Sequence, residues 1–255
     1  MEAPHQVVAR IGRLLRTVSR HEPGGVTTTE AALAADLARP TAHRLLVALQ
    51  HEGLVDRTPT GQWLLGPETF LLGNAASTRY DVSHLAGASL RRLSEATGES
   101  AFFSARRGDE TICLAREDGS FPIRSHVLHE GIRFPLGVAS AGLVILAHLP
   151  ERELAEHLDE HDLVRDHGAA HSRDRLEQRV RETQRLGYSV NPGLIVHGSW
   201  GMGAAVFDAQ GLPQWALSLT GIDHRFAAER RPELGRLLLQ EAHQLSRRIQ
   251  RFRAK

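Results

Sequence analysis

Residues 27–65 constrain the fold more than any other stretch of the chain. Thr27 and Glu30 have the spacing of a capping box, which predicts the start of a short helix. Pro40 suits the first turn of a second helix, because the N–H that proline lacks has no helical partner there. Gly53 is placed to end that helix. Apolar residues at i, i+3, i+4 and i+7 predict one buried face on the second helix: Ala42, Leu45, Leu46 and Leu49.

Two strand-like runs follow at residues 54–57 and 62–65, joined by a Thr-Pro-Thr-Gly turn. Two helices with a tight turn between them, followed directly by a hairpin, are typical of a winged helix-turn-helix. The alternative is a plain helix pair with a hairpin packed on it. In the motif, the N-terminal end of the second helix enters the major groove of DNA. The candidate DNA contacts are Arg39, Thr41, Arg44 and, on the wing, Arg57. For each of them the alternative is an ordinary exposed surface residue, and the pattern does not separate base from phosphate contacts.

The charge of the first 70 residues is balanced, with seven arginines against seven carboxylates. Overall basicity, the usual indication of nucleic-acid binding, is therefore missing, and the placement of individual arginines carries the argument. The apolar stripe of residues 7–18 predicts a first helix, and we expect the arginines of that helix to face solvent.

A single cysteine, Cys113, excludes an internal disulfide and fits a reducing cytoplasm. Cys113 lies in an apolar run, so we expect a small buried core residue and not a reactive thiol. We find neither a signal peptide nor an apolar stretch long enough to span a bilayer. We therefore expect a cytoplasmic protein with no membrane partner.

A chain of 255 residues should form two domains. We expect an α+β chain with a winged helix-turn-helix at residues 1–66, a helical linker at 67–96 and a further domain at 97–255. The apolar face of residues 82–93 is a candidate oligomer interface, although packing within the chain explains it equally well. In the last part we predict helices at 140–149, 151–158 and 173–186, hairpins at 101–116 and 204–219, strands at 122–128 and 195–200, and an amphipathic helix near the C-terminus.

Histidines recur four residues apart at His157 and His161 and again at His167 and His171. Four apart on one helix can bind zinc, but the polar surroundings suggest a loop with a solvated face, and we expect no bound metal. Residues 197–201 are one glycine short of a nucleophile elbow. With no P-loop and no complete dinucleotide fingerprint, nothing specific indicates an enzyme or a cofactor.

Small residues in the segment 133–142 lead directly into an apolar helix. Such a helix exposes backbone N–H groups at its N-terminus, which is a favourable place for an anion. The alternative is close packing of the helix on a sheet, which also needs small residues. The sequence favours neither.

Together these stretches resemble the IclR family of bacterial transcription regulators over nearly the whole chain. The part similar to the family's winged helix-turn-helix is Arg-Pro-Thr-Ala-His-Arg-Leu-Leu at 39–46 with Gly-Leu-Val at 53–55. The parts similar to its effector domain are Arg-Phe-Pro-Leu at 133–136, Ala-Ser-Ala-Gly at 139–142, Gly-Tyr-Ser-Val at 187–190, Ala-Ala-Val-Phe-Asp at 204–208 and Leu-Ser-Leu-Thr-Gly at 217–221.

The resemblance implies a regulator that binds operator DNA as a homodimer or a dimer of dimers. It also implies a GAF-like C-terminal domain, a curved antiparallel sheet flanked by helices, that binds small carboxylates or aromatic metabolites. Positions carried over from the family as effector contacts are Ser140, Ala141, Asn191, Gly201, Ser218 and Thr220.

Two pairs among these positions are also supported by the residues themselves. Ser140 and Ala141 begin the apolar helix. Ser218 and Thr220 alternate with leucines, so that on a strand both hydroxyls face one side.

This chain departs from the family at several of these positions. The family often has His and Lys where this chain has Gly137 and Leu143, a Cys at the position of Gly201, and an acid at that of Asn191. The lost charges, together with the apolar segment 191–201, favour a larger organic acid or an aromatic ligand over one the size of glyoxylate.

The sequence thus predicts a ligand-responsive transcription regulator, more specifically a repressor, whose DNA affinity changes when a metabolite binds the second domain. The alternative is a metabolite-handling enzyme with a repurposed helix-turn-helix.

Overall fold

The computed structural model describes residues 4–80, 82–123 and 127–253. Its internal contacts divide the chain into two compact units, with the boundary between residues 80 and 81. No helix in the described part of the chain is long and apolar enough to cross a membrane.

The first unit has the winged helix-turn-helix arrangement. Its elements are α1 (Pro4–Arg20), α2 (Thr28–Ala34), α3 (Arg39–His51), β1 (Val55–Arg57), β2 (Trp63–Leu65) and α4 (Pro67–Tyr80). The capping box is confirmed, because the Thr27 hydroxyl accepts from the Glu30 N–H while the Glu30 carboxylate accepts from the Thr27 N–H. Trp63 of the wing is fully buried and donates its Nε1–H to the Thr28 hydroxyl at 2.9 Å. The wing is thereby fixed to the first helix of the motif.

The second unit is built on an antiparallel sheet. Its strands are β3 (Ser100–Arg107), β4 (Glu110–Glu117), β5 (Arg133–Pro135), β6 (Tyr188–Pro192), β7 (Ser199–Phe207) and β8 (Pro213–Ile222). Within the described residues their order is β5-β4-β3-β8-β7-β6. The helices are α5 (Val82–Thr97), α6 (Ser140–Ala147), α7 (Glu151–Glu160), α8 (Val164–His167), α9 (Arg173–Leu186) and α10 (Arg231–Arg253).

The two faces of this sheet have different side chains because residues alternate along each strand. On one face, large apolar residues such as Met202, Leu217 and Leu219 pack against α5 and α10. On the other face, small residues such as Ala205 and Ala216 lie beneath the apolar helix α6. Small residues on the second face let α6 lie close to the strands.

The residues expected to connect the domains, 67–96, are two helices, with α4 in the first unit and α5 in the second. The apolar face of 82–93 is buried in the core of its own chain, through Val82, Ala86, Leu90 and Leu93. Intramolecular packing therefore accounts for that face. The exposed apolar side chains in this region lie on α4: Phe70, Leu71 and Leu72.

The strand predicted at 195–200 is confirmed only at 199–200, which begin β7. Residues 193–198 form bends and a turn, in which Gly193 and Gly198 adopt positive φ. The strand predicted at 122–128 falls partly on 124–126, which lie outside the described residues, and the described residues on either side of them are not in a strand. The strand that pairs with β4 is instead β5, through Arg133 to Pro135.

Candidate functional site

The exposed side of α3 carries the residues predicted to contact DNA. Arg39 is the first residue of the helix and is exposed, and Arg44 is exposed one turn later. Thr41 is half-buried and, with Arg44, borders a shallow depression that also includes Arg10 of α1. The opposite side of α3 is buried through Ala42, Leu46 and Leu49. Thr41 and Arg44 therefore share one accessible surface of α3, and Arg39 is exposed at the N-terminal end of the helix.

The fourth predicted contact, Arg57, is exposed at the end of β1, and its guanidinium carbon lies 5.2 Å from the centroid of the Trp63 ring. This cation–π contact with a buried ring holds the arginine on the wing. Arg13 of α1 is exposed, as expected, and it also makes a contact within the motif. Its Nε–H donates to the Ala35 carbonyl at 2.8 Å, at the C-terminal end of α2. Arg13 therefore acts as a helix cap within the motif.

In the second unit a cavity of about 290 Å³, including its open mouth, lies where α6 begins above β6, β7 and β8. Of the six predicted effector contacts, the structure brings four to its wall: Ser140, Asn191, Gly201 and Thr220. Residues that were not among the six predicted contacts also line it: Val127, Leu128, Ala139, Ile195, Ser199 and Trp200. The cavity volume lies at the lower end of small-molecule sites, which span about 300–1,000 Å³, so a larger ligand must displace part of the wall.

The first turn of α6 is held against the sheet by small residues. A Cβ on Gly201 would lie 3.0 Å from the Ser140 hydroxyl, and one on Gly203 would lie 3.1 Å from the Ser140 carbonyl. The Ser189 hydroxyl donates to that carbonyl at 2.7 Å. The N-cap residue Ala139 makes no side-chain cap bond. The close-packing interpretation of this segment is therefore confirmed, and the anion interpretation stays a prediction.

Ser218 and Thr220 face the same side of β8, opposite to the leucines between them. Both are buried, yet among the described residues neither hydroxyl has a hydrogen-bond partner. Thr220 lines the cavity, whereas Ser218 lies further along the strand, paired with Gly203. A buried polar group without a partner destabilises the fold by about 1–3 kcal/mol. Two such hydroxyls on one face of β8 are typical of a site that binds a polar ligand group.

Asn191 lines the cavity, but its side-chain amide is already bonded within the protein. Its Nδ2–H donates to the Val138 carbonyl at 2.7 Å, and its Oδ1 accepts from the Leu194 N–H at 3.0 Å. Asn191 therefore fixes the wall by joining the segment before α6 to the turn after β6. Ala141, the second residue of α6, is buried in the core beside the helix and is not among the lining residues.

The ring of Trp200, in the segment 191–201, is partly covered. The guanidinium carbon of Arg231 lies 4.5 Å from the centroid of the Trp200 ring, and Trp200 packs against the core on the far side of the sheet. Stacking on Trp200 is therefore limited. The apolar part of the wall comes from Val127, Leu128 and Ile195.

A second group of polar residues lies at the turn between β3 and β4. Asp109, His157 and His161 place one potential ligand atom each within 4.8 Å of one another. The expectation of a solvated loop was wrong for His157, which is buried on α7, whereas His161 follows the last residue of that helix and is half-buried. Burial lowers the pKa of His157, against the opposing effect of its hydrogen bond to Asp109.

Comparisons with known proteins match both units of the chain to the same family. The family description "Bacterial transcriptional regulator IclR C-terminal" matches residues 74–247, and "IclR helix-turn-helix domain" matches residues 7–59. The chain is 24% identical over 230 residues to the HTH-type transcriptional regulator KipR of Bacillus subtilis, covering 90% of this chain and 91% of that one. It is 26% identical over 227 residues to the transcriptional repressor IclR of Escherichia coli, covering 88% and 82%. Its fold is similar to that of an IclR homologue from Microbacterium hydrocarbonoxydans solved with 4-hydroxybenzoate, with a TM-score of 0.74, 22% identity and coverage of 94% and 99%.

Proposed function

Because this chain belongs to the IclR family of ligand-responsive, DNA-binding transcription regulators, we propose that it is a repressor controlled by an aromatic or other organic acid. The acid binds in the cavity at the start of α6, and the ligand-bound state has a changed affinity for operator DNA. The observation that carries the ligand half of this proposal is the pair of buried hydroxyls, Ser218 and Thr220, that have no hydrogen-bond partner among the described residues.

The cavity supports an acid as the ligand for two reasons. The N-terminus of α6, which has no side-chain cap, carries partial positive charge and stabilises a carboxylate. The hydroxyl of Thr220 adds a donor, while Val127, Leu128 and Ile195 offer apolar contact to a ring or alkyl chain. The described residues that line the cavity include no lysine or arginine, and we propose that they hold the acid through dipoles and hydroxyls. The homologue from Microbacterium hydrocarbonoxydans was solved with 4-hydroxybenzoate, which makes hydroxybenzoates the first compounds to test.

On the DNA side, Arg39, Thr41 and Arg44 lie in the major groove and Arg57 contacts the backbone from the wing. The bound acid changes DNA affinity by the ratio of its affinities for the two states of the protein. We propose that two copies bind a two-fold operator, because one short helix and one small wing offer few contacts. The exposed apolar side chains of α4 are the proposed contact between copies.

The relatives reported above are named as regulators, and nothing in them supports the enzyme alternative. We therefore propose that the acid is bound and released unchanged, with no cofactor. The protein acts where operator DNA lies, in the bacterial cytoplasm.

A thermal-shift screen of carboxylic acids tests the ligand half. An acid at 100 times its Kd should stabilise the protein by about 2.7 kcal/mol, which raises Tm by roughly 5–10 °C for a unit of this size. The matched control is the neutral methyl ester of each acid that stabilises the protein. If esters and acids stabilise the protein equally, the carboxylate does not bind at the N-terminus of α6, and this part of the proposal fails.

Fluorescence anisotropy on a duplex selected by the protein from random-sequence DNA tests the other half. Arg39→Ala and Arg44→Ala should each weaken binding by about 1–3 kcal/mol for a lost bidentate base contact, or lower the salt slope by about one unit for a lost phosphate contact. Arg247→Ala, an exposed arginine on α10, is the control and should bind DNA normally. Wild-type affinity and salt slope in both α3 variants would exclude this helix from DNA recognition.

A further inference from the structure

We propose that Asp109, His157 and His161 form a binding site for a divalent transition-metal ion of the zinc type. None of the three lines the cavity at α6, so this site is distinct from the proposed effector pocket, and the inference does not depend on the ligand assigned there.

The distances between the donor atoms suit a single small cation. His157 Nδ1 lies 3.3 Å from Asp109 Oδ1, and His161 Nε2 lies 3.8 Å from Asp109 Oδ2. Two ligands bound about 2.0–2.1 Å from a tetrahedral zinc ion are about 3.3 Å apart. The imidazole rings are stacked, with centroids 4.3 Å apart and planes 17° apart, so both face the carboxylate from the same side of α7. Only small movements are needed to place an ion among the three groups.

Hydrogen bonding fixes the tautomer that His161 needs as a ligand. Its Nδ1 lies 3.1 Å from the backbone carbonyl of His157, which can only accept, so Nδ1 carries the proton. The other nitrogen, Nε2, is then left with a lone pair and is the one that faces Asp109. Metal-binding histidines commonly donate their second ring N–H to a carbonyl or carboxylate in this way.

Two contacts hold the backbone around Asp109 in place. Asp109 lies in the turn between β3 and β4, and its carbonyl accepts from the Leu136 N–H at 2.8 Å. Next to it, Arg106 donates to the Glu153 carboxylate at 3.0 Å, which joins the end of β3 to the first turn of α7. The third ligand is thus positioned by backbone and ion-pair contacts that do not involve the ion.

The chemistry of the donors selects the class of metal. Two imidazoles and one carboxylate suit zinc, nickel, cobalt or copper(II) better than calcium or magnesium, which prefer oxygen ligands alone. His157 is buried, His161 is half-buried and Asp109 is exposed, so water can complete the coordination from the open side.

The simpler alternative is that His157 only makes a hydrogen bond to Asp109 and that no ion binds.

The chain contains a matched control that distinguishes the two. His167 and His171 have the same spacing, but their rings are 5.7 Å apart and inclined by 59°. They are not part of any such donor cluster in the described residues.

The test is calorimetric titration of untagged, chelator-treated full-length protein with zinc chloride, together with visible absorption after adding cobalt(II). We expect one ion per wild-type chain and cobalt d–d bands of a low-coordinate site. His161→Ala and Asp109→Asn should each weaken zinc binding at least about tenfold, while His167→Ala binds as wild type. Both ligand substitutions are at accessible side chains, and circular dichroism should show an intact fold.

Three outcomes would overturn the site. The first is that folded wild-type protein takes up no zinc. The second is that His161→Ala or Asp109→Asn binds zinc as tightly as wild type. The third is that His167→Ala loses as much zinc affinity as the ligand variants. The first outcome would leave the hydrogen bond between His157 and Asp109 as the role of these residues, and the other two would move the zinc elsewhere.

Discussion

Removing the two hydroxyls of β8 should stabilise the ligand-free protein and at the same time weaken ligand binding. Ser218→Ala and Thr220→Val each delete a buried hydroxyl that has no protein partner in the described structure, and Val has nearly the shape of Thr. Each unsatisfied group destabilises the fold by about 1–3 kcal/mol, less where a water reaches it. Since Thr220 borders the cavity, a water can offset its share. We therefore expect the double variant to gain about 1–2 kcal/mol, or roughly 2–8 °C in Tm.

The control pair removes hydroxyls that do have partners. The Ser189 hydroxyl donates to the Ser140 carbonyl at 2.7 Å, and the Thr97 hydroxyl donates to the Leu93 carbonyl at 2.6 Å. Ser189→Ala and Thr97→Val should each lose about 0.5–1.5 kcal/mol. Urea unfolding of all four single variants and both doubles, followed by circular dichroism, measures the sign of each change.

Calorimetry with the acid found in the screen measures the other half of this prediction. Hydrogen bonds to a charged group contribute about 1.5–3 kcal/mol, so Ser218→Ala with Thr220→Val should weaken binding about 10- to 150-fold. A double variant destabilised as much as the control pair, with wild-type ligand affinity, would refute the reasoning. The hydroxyls would then be satisfied within the protein and would have no role toward the ligand.

Three further predictions concern assembly, pH and thiol reactivity. Light scattering should give at least a dimer, and Leu71→Glu on α4 should lower the mass while Val196→Glu, another exposed apolar position, does not; a wild-type monomer with and without DNA would contradict this. Burial lowers the pKa of His171 below the ordinary 6.5, and the positive charge of Arg179 is the second cause. Just below pH 6.5 the unfolded chain therefore binds a proton at this histidine that the folded chain does not. Its contribution to stability is full above pH 6.5 and is lost as pH falls below it, at up to about 1.4 kcal/mol per pH unit; His171→Gln should remove this part of the slope in urea unfolding, and an unchanged slope would contradict it. Burial raises the pKa of Cys113 to about 12, so native protein at pH 8 should not react with a thiol reagent, whereas unfolded protein reacts fully; rapid native reaction would contradict this.

The first unit could be predicted from sequence because its signals are local. The Thr27–Glu30 capping box, Pro40 at the start of α3 and the Pro-Gly turn of the wing each act within four residues. Even so, Leu45 was expected to be buried and is only half-buried. The bond from Arg13 to Ala35, across 22 residues, left no local trace.

Several features of the second unit could not be predicted from local sequence patterns. Residues 201–203 of β7 were not predicted as strand because Gly201 and Gly203 weaken strand propensity, although those glycines are what let α6 approach the sheet. Four of the six effector positions lie at one cavity, but the family resemblance supplied them, since spacing along the chain does not group them. His157 meets Asp109 across 48 residues, a contact that only the folded sheet reveals. Position along the chain does not predict such pairs.

The most direct test of the central claim is the coupling between the acid and the operator. Anisotropy titrations at one stated salt concentration would measure Kd for the selected duplex with and without saturating acid, for wild type and for Ser218→Ala with Thr220→Val. The account predicts a change of about 5- to 150-fold in wild type, as allosteric couplings of 1–3 kcal/mol give, and loss of the effect in the variant at the same acid concentration. An acid that binds wild type but leaves its Kd for DNA unchanged would contradict the account.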